Sequence, residues 1–101
     1  MNKNLLRQAQ QLQLKMAKIQ EELDTASVEA SSGGGVVKVI MSGKLKLESI
    51  KIDPQVVNKN DVAMLEDLIL AAVREGISSA QELANKKMSE ITGGLNIPGT
   101  N

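Results

Sequence analysis

The chain has 101 residues, the size of a single domain, and its 12 Lys and Arg balance 12 Asp and Glu to a formal net charge of zero. It contains no cysteine, no histidine and no Phe, Tyr or Trp. Those absences exclude disulfide and thiol chemistry, the commonest general base and metal ligand, and the stacking of bases on aromatic rings.

Residues 3 to 25 read as a long first helix, free of Gly and Pro and rich in Gln, Lys, Glu, Leu and Ala. Leu5, Ala9, Leu12, Met16, Ile19, Leu23 and Ala26 recur at spacings of four and three, a seam narrow enough for helix-on-helix packing. At 1.5 Å per residue the rod is about 35 Å long. Its first twenty residues carry Lys3, Arg7, Lys15 and Lys18 and no acid, whereas Glu21, Glu22, Asp24 and Glu29 follow with no base. Cations at the start and anions at the end oppose the helix dipole. The basic start is rich in Gln rather than Arg and Ser and leads into a patterned helix, so it reads as mature protein rather than a presequence.

The middle of the chain predicts a three-stranded antiparallel meander. Val28 and Ala30 alternate with polar residues before Ser31-Ser32-Gly33-Gly34-Gly35, and Val36 to Met41 is a nearly continuous β-rich run. Ser42-Gly43 marks a turn. Leu45 to Ile52 then alternates, changing phase between Leu47 and Ile50, which a bulge near Glu48 or Ser49 would absorb. Alternation from Leu45 onward places Lys44 and Lys46 on one face. The three glycines precede a strand, and no helix follows them closely, so they form a hairpin connection and not a phosphate-binding loop.

Asn60-Asp61 supply caps for a second long helix, whose apolar stripe includes Leu65, Leu68, Ile69, Ala72, Val73, Gly76, Ile77, Ala80, Leu83, Ala84 and Ile91. Ala72, Gly76 and Ala80 form a strip of small residues at four-residue spacing, which suits either the close approach of another backbone or a bulky neighbouring side chain. Gly93-Gly94 predicts the helix stop, giving one domain over residues 1–95 and a loose tail over 96–101. With no aromatics, the core rests on aliphatic side chains worth about 1.5–3 kcal/mol each when fully buried. So thin a core gains burial by pairing with a second copy, and a homodimer is expected.

No catalytic constellation emerges. Glu66 and Asp67 are adjacent and diverge on a helix, the serines lack a base, and Glu21, Glu22 and Asp24 lack the spacing of a calcium loop. No metal, cofactor or small-molecule substrate is expected, and the longest apolar run, Leu68 to Val73, is too short to cross a membrane. Binding remains. Lys3, Arg7, Lys15 and Lys18, with Gln8, Gln10, Gln11 and Gln13, form a set suited to phosphate oxygens and base edges, though charged helix faces also serve solubility alone. Lys38, Lys44, Lys46 and Lys51 form a second set, for which edge protection is an equal explanation.

The segments LLRQAQQLQLKMAKIQEEL, VEASSGGGVVKVIMSGKLKLESIKIDP and LEDLILAAVREGISSAQELANKKMSEITGG resemble the YbaB/EbfC family of bacterial nucleoid-associated proteins over nearly all of residues 1–95. The resemblance implies an α+β fold of helix, three strands and helix, assembled as a tweezer-like cytoplasmic homodimer that binds duplex DNA at the nucleoid. It implicates the helices, and hence Lys3, Arg7, Lys15, Lys18, Lys86 and Lys87 as DNA contacts. Leu5, Leu12, Met16, Ile19, Leu23, Ile69 and Ile77 are the expected dimer or helix-packing seam. The alternative is a dimeric protein-interaction module that uses those seams without nucleic acid.

Overall fold

The computed structural model describes residues 2–92. The expected helix stop at Gly93-Gly94 and the tail beyond it lie outside them. The first helix, α1, spans Lys3–Thr25, the range its composition predicts. Asn2 caps its start, its side-chain oxygen accepting from the Asn4 N–H at 2.9 Å. At the other end the Thr25 hydroxyl donates to the carbonyls of Glu21 and Glu22, and Ala26 turns extended.

Three strands follow, β1 (Ser27–Ser32), β2 (Val37–Ser42) and β3 (Leu47–Ile52), antiparallel in the order β1-β2-β3. Gly33, Gly34 and Gly35 make the first connection at φ of +60°, +75° and +97°, a region that side chains other than glycine's disfavour. A Cβ on Gly33 would lie 2.7 Å from Val36 Cγ2 and 2.8 Å from Leu68 Cδ2. The glycines therefore serve the hairpin. In the second connection the expected strand start at Leu45 is corrected to Leu47. Leu45 adopts φ of +66°, and the Ser42 hydroxyl accepts from the N–H groups of Lys44 and Lys46 at 3.2 and 3.1 Å. Those bonds curl residues 43 to 46 into a turn, so Lys44 and Lys46 do not share a strand face. The phase change is a bulge: Ile40 pairs with Ser49 and Met41 with Leu47, leaving Glu48 as the extra residue.

The second helix, α2, spans Val62–Thr92 after a single 3-10 turn at Pro54–Val56. Asp61 caps it, accepting from the Met64 N–H at 3.2 Å. α2 packs across β1 and β2 over Ala30, Val37, Val39 and Ala72, with Leu65, Leu68, Ile69, Val73 and Ile52 around them. Ala72 and Ala80 are fully buried, and a Cβ on Gly76 would sit 3.2 Å from Val39 Cγ2. The small-residue strip thus matches the side chains of the chain's own sheet.

Coverage of the sheet is incomplete. Side chains of directly paired residues share a face, so Leu47 and Ile50, opposite Met41 and Val39, point to the α2 side. They nevertheless remain 43% and 40% exposed, because α2 lies over β1 and β2. The molecule is long and thin, 69 × 26 × 17 Å, with a radius of gyration of 19.2 Å.

Candidate nucleic-acid interface

The helix that carries the first basic set stands largely clear of the rest. Only Ile19 and Leu23 of α1 are buried. Leu23 packs where β2 gives way to its turn: a Cβ on the buried Gly43 would meet the Leu23 carbonyl oxygen at 2.7 Å. Ile19 lines a cleft with Lys15, Lys18, Glu22, Glu90 and Ile91, where the two helices meet. From there the start of α1 extends outward, with Leu5, Leu12 and Met16 of the seam 62%, 41% and 40% exposed. Of the other seam residues, Ile69 packs on the sheet and Ile77 is exposed.

Helical geometry sorts the exposed side chains. At about 100° per residue, Lys3, Arg7, Lys18 and Lys15 fall within an arc of about 120° on α1. Leu5, Leu12, Met16, Ile19 and Leu23 fall within about 60°, centred some 130° away. The basic set and the apolar seam thus occupy different sides of one rod, although Leu14, 71% exposed, falls within the basic arc. α1 has no acid in its first turn and no base in its last, so the early cations gain nothing from the helix dipole.

All four basic residues of α1 are exposed. Among the described residues, two ion pairs form, Lys87 with Glu22 at 3.2 Å and Lys44 with Asp24 at 4.0 Å. Neither involves Lys3, Arg7, Lys15 or Lys18, although Glu22 and Glu90 share the cleft with Lys15 and Lys18. Lys86 is exposed on α2, while Lys87 is held against Glu22 and is only 24% exposed at its side chain. Lys87 therefore ties α2 to α1, a role not legible in sequence because its partner lies 65 residues away.

The sheet lysines have a different arrangement. Lys38 on β2 and Lys51 on β3 are direct cross-strand partners on the face turned away from α2, and both are exposed. No described group of three or more Asp or Glu could hold a metal ion. No helix of the described residues is long and apolar enough to cross a membrane.

Comparison with known proteins agrees with this architecture. A nucleoid-associated protein of Thermoanaerobacter pseudethanolicus is 52% identical over 96 residues, covering 95% of this chain and 86% of its own length. One from Dictyoglomus turgidum is 50% identical over 93 residues, covering 92% and 89%. The crystal structure of an uncharacterized Helicobacter pylori protein superposes with a TM-score of 0.78 at 19% identity, covering 92% of this chain and 99% of that one, a likeness of fold. The model of the YbaB/EbfC DNA-binding family matches residues 1–95. With half its residues identical to those relatives and the family's model spanning helix, sheet and helix, the chain belongs to the YbaB/EbfC DNA-binding family.

Proposed function

We propose that two copies of this chain pair and grip duplex DNA through the basic arcs of their α1 helices, at the bacterial nucleoid. The observation that carries this reading is the separation on α1 of Lys3, Arg7, Lys15 and Lys18, free of ion pairs among the described residues, from the apolar seam. A helix of 23 residues is about 35 Å long, close to one turn of DNA at about 34 Å. Lys86 adds a cation from α2, and Lys87 contributes by fixing the angle between the helices as well as by its charge.

Support for pairing comes from apolar surface that one copy leaves in water: Leu47 and Ile50 on the sheet, and Leu5, Leu12 and Met16 on α1. A second copy covering both brings two basic arcs into one molecule. The nucleoid-associated relatives support the DNA reading over a dimeric module that binds proteins alone.

Without aromatic side chains, bases are not held by stacking, and the contacts go mainly to phosphate. Sequence preference is then weak, with Arg7 or a Gln of α1 available to reach a base edge. If each protomer neutralises three or four phosphates, the logarithm of duplex affinity falls with the logarithm of salt at a slope of about −5 to −7. Titration of labelled duplex at several salt concentrations measures that slope. Changing Lys3, Arg7, Lys15 and Lys18 together to Gln should flatten it and weaken binding; unchanged binding would mean that the α1 arc does not carry the DNA contacts, and a wild type without salt-dependent binding would favour the protein-interaction module.

A further inference from the structure

Lys38 and Lys51 stand directly opposite each other on the outer face of the sheet. Like charges in that position repel, so the fold gains nothing from the pair. Lysine on an edge strand guards against unwanted strand pairing. That explanation covers Lys51 on β3, but β2 is the central strand and Lys38 has a neighbour on both sides. Neither lysine forms an ion pair among the described residues. Ser31 pairs with Lys38 from β1, and Ser49 lies on the same face, adding two hydroxyl donors beside the ammonium groups. Glu29, opposite Ile40, is the carboxylate that β1 contributes to this face.

We infer that this face is a second phosphate-binding surface, which takes the backbone of a separate DNA segment. The inference rests on the DNA-binding reading of α1 and extends it. Two lysines rooted about 5 Å apart can hold one phosphate between them or two neighbours along a strand. The face lies on the side of the sheet away from α2, whereas the uncovered Leu47 and Ile50 lie on the α2 side. A second copy seated on those residues leaves Lys38 and Lys51 in water. One assembly thereby offers positive surfaces in different directions, and the protein joins two duplex segments.

A bead-tethered duplex incubated with the full chain and a labelled free duplex of unrelated sequence tests this. The wild-type protein should bind the tethered duplex and capture the labelled one. The doubly substituted Lys38→Gln, Lys51→Gln protein should bind the tethered duplex as the wild type does, yet lose capture by about tenfold or more, as expected for two lost phosphate contacts. The Lys38→Arg, Lys51→Arg protein should retain capture. Undiminished capture by the Gln protein overturns the inference, because the two α1 arcs would then suffice for joining. Wild-type binding without capture overturns it too, while leaving the α1 reading intact. Failure of the wild type to bind the tethered duplex at all overturns both.

Discussion

At the scale of single residues, the tightest constraint is Gly43. Its glycine signals a turn in the sequence, but its role is set by the Leu23 carbonyl oxygen, 2.7 Å from where a Cβ would sit, and Leu23 Cδ2 at 2.9 Å. Gly43→Ala must push α1 away from the sheet and should cost about 1–3 kcal/mol in denaturant unfolding. The Lys87–Glu22 pair behaves differently. Both side chains keep solvent access, 24% and 39%, so a double-mutant cycle should give a coupling of no more than about 1 kcal/mol. Its value lies in orientation. Local signals fail at Leu45, whose left-handed conformation leaves no trace in residue type, so Leu45-Lys46-Leu47 mimics a strand. The hydroxyl of Ser42, which curls the turn, looks in sequence like any other serine.

At the scale of elements, much of the fold was legible because each helix carries its own punctuation. Asp61 caps α2 as its place in the sequence predicts, and the absence of Gly and Pro carries α1 unbroken to Thr25, whereas the Asn2 cap of α1 emerges only in the structure. The bulge was legible as a change of phase, since alternation must keep Leu47, Ile50 and Ile52 on one face. What residue spacing could not reveal was how little of α1 its own chain covers. The 4-3 seam runs through the whole helix, yet within one chain only Ile19 and Leu23 are buried. The start of α1 makes few tertiary contacts, so its amides should exchange rapidly in dilute solution. Raising the concentration into the range where copies pair should slow exchange across residues 5 to 16. Equal exchange at all concentrations would mean that this seam packs against nothing in solution. The basic arc was likewise readable as a set of residue types, whereas its freedom from ion pairs among the described residues needed the structure.

At the scale of the whole molecule, shape and core agree. Among the described residues, eight buried hydrophobics, three of them alanine, are too little aliphatic surface to close a compact core. The radius of gyration of 19.2 Å exceeds the value of about 13 Å expected for a compact domain of 100 residues. The proposed pairing would cover Leu47, Ile50 and the α1 seam with a second copy, and would double the positive charge offered to one duplex. Neutral net charge is then no obstacle, because none of the four basic residues of α1 forms an ion pair among the described residues, although Glu90 of α2 shares the cleft with Lys15 and Lys18. Ile50→Glu, at a position already 40% exposed, should spare the single-chain fold while placing a charge where the proposed second copy would sit. Sedimentation equilibrium at micromolar concentration is the most direct measurement: the wild-type chain should weigh twice 10.8 kDa and the Ile50→Glu chain once. A wild-type protein that sediments as a well-behaved single chain throughout that range would contradict the pairing on which the grip depends.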